Sequence, residues 1–134
     1  SSSRLSENLL TKLKFLVNIG IIFKLEKDYT TALSLYIKSL EIRKRLKNKK
    51  GIGHTLFNIG SLKSETGQVT EALEFYKKSF DIKKELKDEF GKLSCFLNIG
   101  DAYKLLNKYS EAEKNYNEGL ILSRQLGAGD FPCP

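Results

Sequence analysis

One short phrase recurs at a fixed interval along the chain. It reads F-L-V-N-I-G from Phe15, T-L-F-N-I-G from Thr55 and C-F-L-N-I-G from Cys95, each copy 40 residues after the last. A period in this range marks a small unit that cannot bury its apolar face alone and must stack on the next copy. The register extends beyond the phrase. Twelve residues after each glycine stands an alanine (Ala32, Ala72, Ala112), then four later a tyrosine (Tyr36, Tyr76, Tyr116). Three residues further on comes a small residue, Ser39, Ser79 or Gly119.

Each unit reads as two helices. The first is expected over 9–26, 49–66 and 89–106, the second over 29–47, 69–87 and 109–126. Apolar residues fall at three- and four-residue spacing, as in Leu13, Leu16, Ile19 and Phe23, followed by Ala32, Leu33, Tyr36 and Leu40. Asn8, Asn48 and Asp88 stand in register as expected N-caps of the first helices. The turns L-E-K-D-Y, E-T-G-Q-V and L-N-K-Y-S are short enough to force antiparallel helix pairs. Gly20, with Ala32 and Ser39 on the partner helix, lets two backbones approach, while Leu16, Phe23 and Tyr36 fill the space beside the crossing.

Composition agrees with a folded chain of this kind. Of 134 residues, 40% are hydrophobic and 29% charged, with two prolines, which excludes a disordered or collagen-like polymer. The most apolar stretch, Phe15 to Phe23, is half the length of a membrane span and contains Asn18. The start, S-S-S-R-L-S-E-N, is too polar for a signal peptide. Cys95 and Cys133 do not make a disulfide framework, so a reduced, cytoplasmic protein is expected. With no methionine anywhere, a segment of a longer chain is expected. Residues 1–7 are read as the close of a preceding repeat or an added leader. Repeats 8–47, 48–87 and 88–127 follow, then an irregular tail over 128–134 with Gly129, Pro132 and Pro134. No capping helix follows the third repeat, so self-association through uncapped ends is a possible consequence.

In this register the sequence resembles the tetratricopeptide repeat (TPR) family. The resemblance rests on Leu16–Ile19–Gly20–Phe23–Ala32–Tyr36 and Phe96–Ile99–Gly100–Tyr103–Ala112–Tyr116. The middle copy has Lys63 where an aromatic is usual, and Leu62 is expected to fill the gap while Lys63 reaches solvent. The family's late proline is replaced by Lys44, Lys84 and Arg124, which fits a longer second helix. The 40-residue period is similar to the repeats of LGN/Pins scaffolds, kinesin light chains and bacterial signalling arrays. The resemblance implies an all-α, right-handed α-solenoid of three antiparallel helix pairs, whose first helices line a concave surface.

By the family's register the exposed groove positions are Lys14, Val17, Asn18, Ile21, Lys24 and Leu25 in the first repeat. In the second they are His54, Phe57, Asn58, Ser61, Ser64 and Glu65, and in the third Ser94, Leu97, Asn98, Asp101, Lys104 and Leu105. An asparagine amide donates and accepts at once, so Asn18, Asn58 and Asn98 form a ladder suited to an extended peptide backbone. Val17, Ile21, Phe57, Leu97 and Leu105 would supply apolar pockets, and charged rim residues the selectivity. A structural role for the asparagines, holding the next repeat, is equally open, and the two can coexist. The family's clamp for a C-terminal carboxylate is not expected, because Val17, Ile21, Ser94 and Asn98 stand at its positions and Asn58 alone matches.

The expected function is therefore a non-catalytic scaffold for protein–protein interaction, binding a peptide or helix of another protein. One alternative is a regulatory module of a larger signalling protein. A second is an anionic-surface or nucleic-acid binder through R-K-R-L-K-N-K-K at 43–50, where six of eight residues are cationic. A solvated helix C-terminus explains that run more simply. The +7 net charge is divided as +3 over 1–40, +5 over 41–80 and −1 over 81–134. No constellation for catalysis, cofactor or metal is present: His54 is the only histidine, and Cys95 reads as a small buried hydrophobe. Glu111 and Glu113 suit a helix start.

Overall fold

The structure, a computed structural model, describes residues 2–127. It contains six helices in chain order: α1 (Ser2–Leu25), α2 (Tyr29–Arg45), α3 (Lys49–Glu65), α4 (Val69–Glu85), α5 (Glu89–Leu105) and α6 (Tyr109–Gln125). No strand occurs among the described residues. Each of α2 to α6 is 17 residues long, so helix and link together repeat every 20 residues, two such steps making the sequence period. Packing runs from each helix to its neighbours in the chain, which defines an all-α solenoid.

The links share one backbone device. Lys27, Lys47, Gly67, Lys87, Asn107 and Gly127 all have positive φ. The residue after each of the first five donates its N–H five residues back, as in Asp28 N to Phe23 O at 2.8 Å and Asp88 N to Lys83 O at 2.8 Å. This is the Schellman arrangement, which satisfies carbonyls that the last helical turn leaves unpaired. The next helix is then capped at once. Asp28, Asn48 and Asp88 accept from the N–H groups of Thr31, Gly51 and Gly91 at 3.2, 3.0 and 2.9 Å.

Asn48 and Asp88 thus cap their helices as expected, whereas Asn8 does not. It lies inside α1, which runs unbroken from Ser2. The difference is upstream: Asn48 and Asp88 follow a lysine in the left-handed conformation, and no such turn interrupts residues 2–7. The tail with Gly129, Pro132, Cys133 and Pro134 lies outside the described residues.

The core sits between repeats rather than within them. One cluster joins Ala32, Tyr36 and Leu40 of α2 to Leu56, Ile59 and Leu62 of α3. The other joins Ala72, Leu73 and Tyr76 of α4 to Cys95, Ile99 and Ala102 of α5. Leu62 is buried as expected, but Lys63 does not reach freely into solvent: its side chain is 18% exposed and its ammonium pairs across to Glu71 of α4 at 2.8 Å. Ile19 departs from its expected core role. It is 41% exposed, against 1% for Ile59 and 5% for Ile99, because no helix packs on that face of α1 among the described residues.

Candidate functional site

The small residues of the repeated phrase set the distance between paired helices. A Cβ placed on Gly60 would lie 2.9 Å from the Tyr76 ring and 3.3 Å from the carbonyl oxygen of Ala72. On Gly100 it would lie 2.5 Å from the ring of Tyr116. The tyrosines are held by the same crossing. Tyr76 donates its hydroxyl to Ser61 Oγ at 3.5 Å, and Tyr116 donates to Asp101 Oδ1 at 2.5 Å. Burial, then the hydrogen bond to Asp101, raises the Tyr116 phenol to about 12. Ser61 and Asp101, which the sequence led us to expect along the groove, thus brace the helix pair. In the first repeat Ile21 stands at that register, with no polar atom to offer Tyr36.

A second device joins one repeat to the next. The Arg43 guanidinium, on the last turn of α2, crosses to α3 and donates Nη1–H to Gly51 O at 3.0 Å and Thr55 Oγ1 at 2.6 Å. Its Nε is buried without a partner. A Cβ on Gly51 would meet Arg43 Cδ at 2.8 Å, so the glycine makes room for this side chain. Forty residues on, Lys83 takes the same position on α4. It is 5% exposed, and a Cβ on Gly91 would lie 2.4 Å from its Cδ. Its Nζ stands 3.5 Å from Asp88 Oδ2. Asp88, capped onto the Gly91 N–H and near this cation, is held below the ordinary carboxylate value.

The basic run 43–50 is therefore not a uniform solvated helix end. Arg43 is spent between repeats, Lys47 forms the turn, Lys49 pairs with Glu85, and Lys50 faces a cavity.

That cavity, about 530 Å³, opens between α3 and α5. His54, Phe57 and Asn58 line it from α3, and Phe90, Gly91 and Ser94 from α5. Lys50, Lys83 and Asp88 complete it. Four positions expected from the sequence, His54, Phe57, Asn58 and Ser94, are thus brought together. Partial burial, then Lys83, Arg43 and Lys50, push the His54 imidazole below its ordinary value, with Asp88 opposing. Phe57 has a second duty, packing its ring against Tyr76 with centroids 5.3 Å apart.

Leu97 lines a different hollow of about 350 Å³ between α5 and α6, with Leu93, Asn115, Tyr116, Gly119, Leu120 and Ser123. The remaining expected positions stand along the first helices outside both cavities. These are Lys14, Val17, Asn18, Ile21 and Lys24 on α1, Ser61 on α3, and Asn98, Asp101 and Lys104 on α5. Asn18 and Asn58 are exposed and Asn98 half-buried. The Asn18 and Asn98 amides each donate one N–H back to the carbonyl four residues earlier, Lys14 O and Ser94 O, both at 2.8 Å. Each keeps a second N–H and its carbonyl oxygen for another partner.

Sequence reasoning missed Lys83, Asp88 and Phe90 as members of this cavity. The available signal was the in-register pair Arg43–Gly51 and Lys83–Gly91, where a glycine in a first helical turn follows a long cation. Among the described residues, no three His, Cys, Asp or Glu side chains gather to hold a metal, and no helix is long and apolar enough to cross a membrane.

Stacked antiparallel helix pairs, inter-repeat cores and a cavity between successive first helices define a helical-repeat module. The tetratricopeptide repeat model matches residues 12–85 and 54–125, and the chain belongs to that family. Modules of this fold are in general non-catalytic. No curated protein matches the chain. Among solved structures, it is similar to BtubC (BKLC) from P. vanneervenii, with 23% identity and a TM-score of 0.79 over 91% of this chain and 50% of that one. It is similar to the TPR domain of Arabidopsis FLU, with 19% identity and a TM-score of 0.80 over 87% of this chain and 98% of that domain. It also resembles the Rap conjugation gene regulator of plasmid pLS20 in complex with the Phr* peptide. That match has 21% identity and a TM-score of 0.83 over 95% of this chain and 36% of the regulator. The chain thus spans half the length of BtubC and about a third of the regulator.

Proposed function

We propose that this chain is a non-catalytic interaction module that holds an extended peptide or helical segment of another protein along α1, α3 and α5. The observation that carries the reading is the cavity between α3 and α5, where His54, Phe57, Asn58 and Ser94 converge from two successive first helices. Asn18, Asn58 and Asn98 supply paired donors and acceptors to the ligand's backbone, and Val17, Ile21 and Phe57 supply apolar contact. The peptide complex of the similar Rap regulator lends support at the level of fold. Lys14, Lys24, Asp101 and Lys104 lie along the same three helices and set charge preference at the rim.

The test is selection of a random peptide library on the chain, followed by affinity measurement of the enriched peptides. Changing Asn18, Asn58 and Asn98 together to alanine is expected to weaken binding by roughly tenfold or more, since each lost hydrogen bond is worth about 0.5–1.5 kcal/mol. Helical signal and melting temperature should stay near wild type, because none of the three side chains is buried and the amides of Asn18 and Asn98 bond only to carbonyls of their own helices. Unchanged affinity in a folded triple variant would refute the ladder.

A further inference from the structure

The junction between the second and third repeats holds a cation that the fold leaves underused. At the preceding junction Arg43 donates to both Gly51 O and Thr55 Oγ1. At this one Lys83 occupies the same register, but Cys95 stands where Thr55 stood, and a thiol is a weak acceptor. The ammonium's hydrogen bond is to Asp88 Oδ2 at 3.5 Å, well beyond the 2.7–2.9 Å typical of a charged pair. Asp88 already accepts from the Gly91 N–H through its other oxygen at 2.9 Å. Lys83 is nonetheless 5% exposed and lines the cavity of about 530 Å³ beside Lys50 and His54. A buried ammonium with three donors and one long contact is costly unless a further acceptor completes it.

We propose that this cavity is a carboxylate-binding subsite that takes an aspartate or glutamate side chain of the peptide lying along α3 and α5. It rests on the groove reading above and deepens it. Charge sets the ligand class. Lys50 and Lys83 against Asp88 leave one positive charge with His54 neutral, matching one carboxylate rather than the nearly doubled charge of a phosphoryl group. The positive end of α5 adds to the same field. Shape agrees: Phe57 and Phe90, the latter 65% exposed, line the same cavity and offer apolar walls to the methylenes of an acidic side chain. Gly91 is the enabling residue, since any Cβ there would displace Lys83 and Asp88.

His54 reports occupancy. It is the chain's single histidine, so its ring gives one resolvable imidazole signal. Partial burial, then Lys83, Arg43 and Lys50, depress its ionisation and Asp88 favours it. A carboxylate entering the cavity adds an opposite charge and moves the titration upward. The probes are a short acetylated and amidated peptide of alternating alanine and glutamate, its glutamine counterpart, and the glutamine peptide with a free C-terminus. The glutamate peptide is expected to bind roughly tenfold or more tighter than the glutamine one, the range of one charge-assisted hydrogen bond. It should also raise the His54 pKa. Lys83→Met should remove both effects, and Lys50→Met, at an exposed position, should reduce both even if the first variant fails to fold.

Equal binding of the two blocked peptides with His54 unmoved would overturn the subsite and leave the groove standing. Binding of neither would overturn it too, while the asparagine comparison judges the groove separately. A preference for the free C-terminus would assign the cavity to a chain end and overturn the side-chain assignment.

Discussion

Replacing Gly60 by alanine sets two effects of known size against each other. An alanine inside a helix is favoured over glycine by about 1 kcal/mol, so the substitution should stabilise an unhindered site. Here the new Cβ would sit 2.9 Å from two atoms of the Tyr76 ring and 3.3 Å from the Ala72 carbonyl oxygen. The ring cannot swing away, because it is buried in the α4–α5 core and packed against Phe57. The carbonyl belongs to the first turn of α4 and cannot move without it. Overpacking of this kind costs about 1–3 kcal/mol. Three contacts at once, one of them to backbone, place the cost in the upper part of that range, at about 2–3 kcal/mol, so the balance is a net loss of roughly 1–2 kcal/mol, or about 4–7 °C in melting temperature for a chain of this size.

Gly20→Ala is the internal control. Its nearest atoms, on the Tyr36 ring, lie at 3.0 and 3.2 Å with no backbone among them, and the two effects should nearly cancel. Urea and thermal unfolding followed by circular dichroism compare the two variants. A Gly60→Ala chain as stable as wild type would refute the close crossing as the reason for the repeated glycine.

Other outcomes follow from the same contacts. The Tyr116 phenol, raised to about 12 from 10.0, keeps its proton in the folded chain where the unfolded chain loses it. Its contribution to stability is therefore full below pH 10 and is lost as pH rises from 10 to 12. Asp101→Asn should lower the phenol's pKa and narrow that window, as read by tyrosinate absorbance against pH. Arg43→Met removes two inter-repeat hydrogen bonds and leaves Thr55 and Gly51 O with fewer donors, at a cost of about 1–3 kcal/mol in urea unfolding. Lys87→Gly relieves a left-handed residue at φ 57° and should be neutral to stabilising by up to about 1 kcal/mol. Loss of stability would contradict the Schellman reading. Cys95 is fully buried and burial pushes its thiol up, so its labelling should wait on unfolding and accelerate with added urea.

The period, the helix pairs and the tyrosine–glycine crossing were legible in the sequence because each is written three times in register. Asn8 misled because a capping residue alone does not end the helix before it. At Asn48 and Asp88 the stop comes from a left-handed lysine, which carries no compositional mark. Ile19 misled because periodicity gives a residue's face, while its burial depends on whether a neighbouring helix covers that face. His54, Phe57, Asn58 and Ser94 were legible as a set because they share one helical face in successive repeats. Lys83 was not, since a lysine in the last turn of a helix suits the dipole wherever its ammonium goes. Only the glycine opposite it, Gly91, shows that the side chain turns inward.

On the proposed function, α1, α3 and α5 hold a peptide through three asparagines in register. The direct measurement is the side-chain amide resonances of Asn18, Asn58 and Asn98 during titration with the tightest library-selected peptide, with Asn115 and Asn117 of α6 as internal references. Binding along the three first helices should give shifts at the first three that saturate together at one affinity while the α6 amides stay still. Saturating shifts on α2, α4 or α6, with the three groove amides unmoved, would contradict it.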